Sequence, residues 1–595
     1  MANSAQPGAR TSGFLRSIEI PQALRALVRA REAGLVALAA LIGAIAGFIV
    51  ALMGITVAAM HRSLYGVPID QRLSAQMHIE PWAALAMPTL GGALFGFSLW
   101  VLVRVRPGRE VDPIEANALH GGRMSFRGSL IVALQTVWSS GVGASVGLEA
   151  GYTQLASGIA SWIGQAFRLR RRDLRVLVGC GAAGAIAGAF GAPLAGAFYA
   201  FELVVASYSV AYLAPVGVAA LTGYLVATAF GETPLGIGGM YVSHVRAVDL
   251  ATSMLVGVLA AGVGITLMRS VALCEELLNR LRIRPIFRPT LGGLIVGALA
   301  IVTPEVMSSG HGAIHISSMY ERSLAAIALL FVMKSMASIV SLGTGFRGGL
   351  FFASLLIGAL GGRMFADTVN LFLPAAALEP HIYTIVGMGA VSVAVIGGPL
   401  TMTFIALETT GDFWLTTAVL IAIIIAAQVT RETFGYSFAT WRFHLRGEGI
   451  RSAADVGWIR ELTVRRMMRS DIKTVSSRTT IARFRLVYPL SSVSHVVAID
   501  EDKRYAGIIS VAEAHTPDLD EAKQVREIMH FNDTALFPTM TIKEAVIMFD
   551  HAEAEALAVI DSPDKRDVVG LLTESYALKR YSSELEQRRQ EILGE

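Results

Sequence analysis

The sequence predicts an α-helical polytopic membrane protein that is built from two repeats and followed by a soluble α/β tail. Of its 595 residues 53% are apolar and only 16% are charged, whereas soluble domains average about 25% charged residues. The charge is also unevenly placed, since residues 451–595 hold 44 of the 96 charged side chains. Low charge and an internal repeat predict the membrane body, and the charged end predicts the tail.

The body contains apolar runs close to the length of about 20 residues that crosses a bilayer as a helix. Several runs are short or broken by Gly or Pro, which is tolerated only where protein or a watery cavity satisfies the freed backbone groups. Arg25, Arg29 and Arg31 precede the first run, so we expect a cytoplasmic N-terminus and no signal peptide. The runs are 34–60, 83–105, 127–147, 152–167, 176–205 and 210–230, then 250–276, 288–303, 323–340, 349–366, 381–408 and 413–430.

Two motifs occur twice, in the same order and at nearly the same offset. G-x-G-x3-G-L spans residues 141–148 and 343–350. P-L-x3-F-x-A-x-E ends in Glu202 and again in Glu408, for which we expect a shared structural role such as capping. Duplicated halves, here about 34–230 and 250–445, are typical of transporters, whose substrate site lies at interrupted helices in corresponding positions.

Glu149 is the first candidate functional residue. It lies in Gly147-Leu148-Glu149-Ala150-Gly151, at a predicted helix start inside the membrane, where an acid is costly and therefore indicates function. A helix N-terminus binds a carboxylate or an inorganic anion equally well. Glu149 is thus expected to occupy an anion site and to leave it when protonated. The alternative is a loop glutamate that faces lipid headgroups.

Residues 105–445 resemble the CLC family of chloride channels and chloride/proton exchangers. Residues 147–151 resemble its G-R-E-G-P gate motif, and Lys334, Ser341–Gly345 and Gly348–Phe351 resemble its second filter segment. The resemblance implies an inverted repeat, a homodimer with one pathway per subunit, and Glu149 as the gate. It also implies that an anion is bound by Gly147, Leu148, Ala150, Leu350, Phe351 and Tyr436.

Two departures from the family pattern concern the inner end of the pathway. The family's G-S-G-I-P motif falls on Arg109-Glu110-Val111-Asp112-Pro113, which makes Glu110 and Val111 the candidate inner filter. The inner proton-transfer glutamate of many family exchangers falls on Leu203. Family channels usually carry an apolar residue there, so we expect passive, channel-like conduction of chloride, with a chloride/proton antiporter as the alternative.

The tail resembles a pair of CBS domains, which we place at residues 463–520 and 521–582. Residues 497–500 and 507–510 are repeated as 558–561 and 570–573, each time as two short strands around a charged turn. In such pairs an adenine nucleotide is often held by G-h-h-S/T-x-x-D, to which Ser510, Glu513 and Thr573 correspond in part. We expect a module without ligand, with nucleotide binding as the alternative, and a non-conducting membrane sensor as a further alternative for the whole chain.

Other classes of function find no support in the sequence. A net charge of +4 indicates no nucleic-acid partner, and two cysteines provide neither a disulfide framework nor a metal site. We expect a non-enzymatic, multi-pass protein of the cell membrane, with both termini cytoplasmic and no required cofactor, that binds a small inorganic anion. The remaining predicted segments are a cytoplasmic segment 1–33, a transport domain 34–445, a linker 446–462 and a tail 583–595.

Overall fold

The computed structural model divides the chain into two compact units, residues 1–455 and 456–595. Most of the predicted segment 1–33, the linker 446–462, nearly all of the tail 583–595, and Arg29, Arg31 and Arg109 lie outside the described residues. The structure describes residues 21, 25, 32–105, 110–232, 245–314, 322–438, 440–441, 463–490, 492–580 and 582–583.

The first unit is helical, as predicted. Within the described ranges, eight of its helices are long and apolar enough to cross a membrane. The first half contains α1 Glu32–Tyr65, α2 Pro81–Val105, α3 Pro113–Leu119, α4 Phe126–Gly141, α5 Glu149–Ala166, α6 Arg171–Phe190, α7 Pro193–Tyr199 and α8 Val210–Ala229. The second half contains α9 Ala247–Arg280, α10 Arg288–Val302, α11 Leu324–Gly343, α12 Phe351–Phe372, α13 Pro380–Ile396, α14 Pro399–Thr410 and α15 Phe413–Thr433.

The two halves repeat one order of helices. Both begin with a helix of 34 residues, α1 and α9, and both end with helices of similar length, α8 and α15. The predicted apolar runs 176–205 and 381–408 are each divided into two helices. Gly191 and Gly397 end the first helix with positive φ angles of 66° and 88°, and a proline two residues later starts the second. These are the left-handed caps and N-terminal prolines that helices favour.

Glu202 and Glu408 are reciprocal helix caps, which confirms the shared structural role expected for them. The Glu202 carboxylate accepts hydrogen bonds from the backbone N–H groups of Leu400 and Thr401, at 2.8 and 2.9 Å. The Glu408 carboxylate accepts from those of Leu194 and Ala195, both at 2.9 Å. Each repeat therefore satisfies the first turn of a helix in the other repeat.

The second unit is a small α/β unit with two sheets. The first sheet pairs β1 Thr474–Ser476 in parallel with β2 His495–Ile499, and β2 antiparallel with β3 Tyr505–Ser510. The second is an antiparallel hairpin of β4 Ala556–Ile560 and β5 Val568–Thr573. The helices of this unit are α16 Val464–Met467, α17 Ile481–Val487, α18 Val511–Ala514 and α19 Ile542–Ala552.

Segments cross between the two sheets of this unit. Arg469, near the start of the unit, forms a bridge to Leu571 in the second hairpin, while His530 forms a bridge to Ile508 in the first sheet. The segment around Arg469 thus adds to the sheet of β4 and β5, and the segment around His530 adds to the sheet of β1, β2 and β3. The boundary between 463–520 and 521–582 stays a prediction.

Candidate functional site: a carboxylate between two helix starts

The candidate site lies where α5 of the first repeat and α12 of the second repeat begin. Gly147 and Gly349, in the two copies of the glycine motif, exchange backbone hydrogen bonds of 3.0 and 3.1 Å in an antiparallel bridge. Leu148 and Leu350 follow as the N-cap residues of α5 and α12, and neither helix start has a side-chain cap from its own N-cap residue. The duplicated motifs therefore bring two helix N-termini together.

The Glu149 side chain satisfies the helix of the opposite repeat. Glu149 is the first residue of α5 and is 4% exposed. Its Oε1 accepts a hydrogen bond of 2.8 Å from the backbone N–H of Phe352, in the first turn of α12. Its Oε2 is buried and has no hydrogen-bond partner among the described residues. One oxygen thus caps α12, and the other is available for a proton.

Two glycines make room for this carboxylate. A Cβ atom on Gly349 would lie 2.8 Å from Glu149 Oε2, and one on Gly147 would also collide with the same oxygen. Contacts under 3 Å with a Cβ atom do not occur in real structures, so any larger residue would displace the carboxylate. The two glycines of the repeated motif therefore leave space for a negatively charged group beside the backbone of α12.

Lys334 in α11, which the sequence analysis placed in the second filter segment without giving it a role, is a buried cation near the site. Its side chain is 0% exposed, and Nζ donates to the carbonyl oxygens of Val306 and Ser308 at 3.1 and 3.0 Å. It also lies within electrostatic range of Glu149. A single basic residue inside a 20-residue apolar helix also indicates function by default.

Aromatic rings surround the start of α12. Phe351 and Phe352 lie 4.5 and 4.4 Å, centroid to centroid, from Phe190 at the end of α6. The Phe351 ring also lies 6.3 Å from the ring of Tyr199. Tyr436, the predicted inner tyrosine, has ring contacts with Phe434 and Trp441 instead. Tyr199 is therefore the tyrosine whose ring the described contacts place against Phe351.

The predicted inner filter begins directly before α3. Glu110 lies against Gly128 in α4, and the Val111 carbonyl accepts a hydrogen bond of 2.8 Å from the Gln154 side chain. Asp112, which the sequence analysis did not assign, is the N-cap of α3, where its Oδ1 accepts from the Ile114 N–H at 2.8 Å. Of these acids, Asp112 is the one within electrostatic range of Tyr199.

Comparison with known families identifies this arrangement. The model of the voltage-gated chloride channel family matches residues 91–431, more than half of the chain. The chain belongs to this family. The CLC resemblance predicted from the motifs is thus confirmed, and the match includes Glu149 and Phe351 but ends before Tyr436. A CBS domain model matches residues 525–583, in the second unit.

Similar proteins cover the body of this CLC chain. A ClcB-like chloride channel protein of Ralstonia nicotianae is 33% identical over 373 residues, which cover 60% of this chain and 84% of the relative. The voltage-gated ClC-type chloride channel ClcB of Escherichia coli is 30% identical over 363 residues, which cover 60% of this chain and 86% of the relative. The protein is therefore a CLC-type membrane protein that transports anions.

Solved structures confirm the fold of the family. A slow cyanobacterial Cl−/H+ antiporter superimposes with a TM-score of 0.61 at 21% identity, covering 69% of this chain and 97% of the antiporter. A eukaryotic CLC transporter superimposes with a TM-score of 0.58 at 18% identity, covering 93% of this chain and 98% of the transporter. At these identities the likeness concerns the fold alone.

The predicted nucleotide residues lie at equivalent strand ends of the second unit. Ser510 ends β3 and Thr573 ends β5. The Ser510 hydroxyl caps α18, since it accepts from the Glu513 N–H at 3.5 Å. The Glu513 carboxylate pairs with the His530 ring, with 2.8 Å between Oε2 and Nε2. Two of the three predicted ligands are thus already engaged within the protein.

Proposed function

We propose that this protein transports chloride across the cell membrane through a pathway gated by Glu149. The observation that supports this proposal most directly is the Glu149 carboxylate on the backbone N–H of Phe352. A helix N-terminus that binds a carboxylate also binds an inorganic anion, because both accept from the same N–H groups and favour the same positive end of the dipole. Glu149 and chloride therefore compete for one site.

Protonation is the event that opens this gate. A neutral Glu149 side chain loses its attraction to the N-terminus of α12, and the vacated N–H groups replace part of the hydration shell of the anion. The backbone of Gly147, Leu148, Ala150, Leu350 and Phe351 then faces the anion. The relatives named above are described as chloride channels, which supports chloride as the anion.

Passive conduction and proton-coupled exchange are two forms of this function. Leu203, which replaces the inner glutamate of many exchangers, favours passive conduction. Asp112 and Tyr199 favour chloride/proton exchange, since they supply titratable groups beside the site. A solved structure with the same fold is described as a Cl−/H+ antiporter and another as a fluoride/proton antiporter.

Chloride efflux from liposomes that contain the full-length protein tests the proposed function. We expect efflux well above that of protein-free liposomes. We also expect faster efflux as the external pH is lowered. No efflux above the protein-free control at any pH would contradict it. That result, together with nucleotide binding by the full-length protein, would favour the non-conducting sensor.

The second unit acts, in this proposal, as a coupling module without a bound nucleotide. Glu513 is held by His530, and Thr573 is followed at the third position by Tyr576 rather than an acid. We therefore expect no saturable binding of ATP or AMP to the full-length protein below about 1 mM. Equilibrium dialysis with radiolabelled nucleotide measures this, and saturable binding that is lost in Ser510→Ala would contradict the expectation.

The family resemblance also leads us to propose a homodimer in the cell membrane, with both termini in the cytoplasm. Exposed apolar side chains on α8 and α15 provide a surface for a second copy or for lipid. They include Val210, Leu213, Leu225, Phe413 and Trp414. Single-molecule photobleaching in liposomes distinguishes the two occupants, since a monomer bleaches in one step.

A further inference from the structure

A second polar pair, Tyr199 and Asp112, lies close to Glu149. Tyr199, the last residue of α7, packs with Val111 and Leu203 around one buried cluster that includes Ile114, and its ring lies beside that of Phe351. Asp112 lies within electrostatic range of Tyr199, and so does Glu149. Polar side chains at membrane depth are costly, and their presence therefore indicates a function. The tyrosine therefore lies near two carboxylates at the starts of different helices, α3 and α5.

The backbone around this pair is adapted to hold it. Directly after Tyr199 the helix widens into a π-helical turn, Ala200–Val205, a geometry that is frequent at functional sites. Asp112 is held in place because its Oδ1 caps α3.

Other nearby carboxylates have different roles. Both oxygens of Glu202 serve the N-terminus of α14. Glu115 in α3 lies 3.8 Å from the His120 ring nitrogen, and Glu110 lies against α4. Leu203 carries no titratable group. Asp112 is therefore the acid of α3 and its preceding segment that faces Tyr199.

Four further charged or titratable residues of the described chain lie around this cluster. Tyr152, one turn into α5, has a buried hydroxyl without a hydrogen-bond partner among the described residues and lies within range of Glu149 and Tyr199. Glu232 approaches Tyr152 and is paired with Arg72 at 3.2 Å, on the wall of a cavity of about 840 Å³. Lys334 approaches Glu149 from α11.

We propose that Asp112 is the second proton-accepting carboxylate of the pathway and that the Tyr199 hydroxyl connects it to Glu149. This inference rests on the proposed function and specifies its coupled form. The Tyr199 oxygen accepts the proton of Glu149 while its own hydrogen passes to Asp112, directly or through a water molecule that is returned unchanged. Tyrosine is regenerated, one proton has moved between the carboxylates, and Glu149 is again a carboxylate that caps α12.

Simultaneous recording of chloride and proton movement tests this proposal. Full-length protein in weakly buffered liposomes is given an outward chloride gradient, with a chloride electrode and a pH electrode outside. We expect the wild type to move protons against the chloride flow. Asp112→Asn should retain chloride efflux while its proton movement falls by about tenfold or more, as expected when a positioned proton acceptor is removed. Tyr199→Phe should lower proton movement in the same direction, and Asp112→Glu should restore it.

Glu115→Gln is the matched control, since it removes a carboxylate from the same helix and should leave the ratio of protons to chloride unchanged. Chloride efflux without proton movement in the wild type would overturn this proposal while the proposed function stands. Unchanged coupling in Asp112→Asn would also overturn it. If Asp112→Asn transports neither ion, Tyr199→Phe decides, and full coupling in that variant overturns the proposal. Absence of chloride efflux from the wild type would instead contradict the proposed function.

Discussion

Glu149→Gln is expected to transport chloride at a rate that no longer depends on pH. Glutamine has the size of glutamic acid but no charge, so it mimics the protonated side chain and leaves the N-terminus of α12 open to the anion. In the wild type, flux should rise as pH falls, by at most about tenfold per pH unit because one proton is bound. Chloride efflux from liposomes between pH 4 and pH 8 measures both profiles.

Glu276→Gln provides the comparison for this variant. Glu276 is an exposed glutamate of α9, paired with Arg280 on the helix surface, and a surface pair of this kind contributes little. Its pH profile should match that of the wild type. A pH dependence in Glu149→Gln as steep as that of the wild type would exclude Glu149 as the gate.

Lys334→Met is expected to cause the largest loss of stability of the single changes considered. The substitution removes the donor for the buried carbonyl groups of Val306 and Ser308 and leaves Glu149 without its buried cation. Leaving a buried carbonyl group without its hydrogen bond costs about 1–3 kcal/mol for each group. We expect a lower thermal unfolding temperature in detergent, measured by light scattering or intrinsic fluorescence.

The pH profile of flux separates a structural role of Lys334 from an electrostatic effect of Lys334 on Glu149. Without its positive charge the ionised form of Glu149 is less favourable, so activation of flux should begin at a higher pH than in the wild type. Lys334→Arg keeps the charge and should keep the wild-type profile even if its larger head group lowers stability. Equal profiles for Lys334→Met and the wild type would show that Lys334 has only a structural role.

The sequence was sufficient to predict the parts of the structure that depend on pattern. Two copies of a glycine motif indicated the repeat, and an acid beside one copy indicated the site, because membrane-embedded charge is rare enough to be informative. Glu202 and Glu408 indicated a shared role because they end two copies of one motif. These inferences needed neither distances nor knowledge of which helices touch.

The contacts of the site could not be predicted, because they join segments that are distant in the chain. Glu149 bonds to Phe352, 203 residues later, and no periodicity encodes that pairing. Glu110 was assigned to the inner filter because it falls on the serine of the family motif, whereas the capping of α3 by Asp112 is a property of the folded chain. Tyr436 was assigned from its position in a motif, and Tyr199 was not considered because its ring packing against Phe351 is a property of the folded chain.

The bridge between Gly147 and Gly349 has a consequence for how this pathway could have originated. The carboxylate that closes the site is supplied by one repeat and the N–H group that receives it by the other. Neither half alone contains both the carboxylate and the N–H group that receives it. A single repeat would therefore have needed to pair with a second copy of itself to form this contact. Two copies within one chain allow the acid to stand in one copy alone, which a symmetric pair of identical chains does not allow.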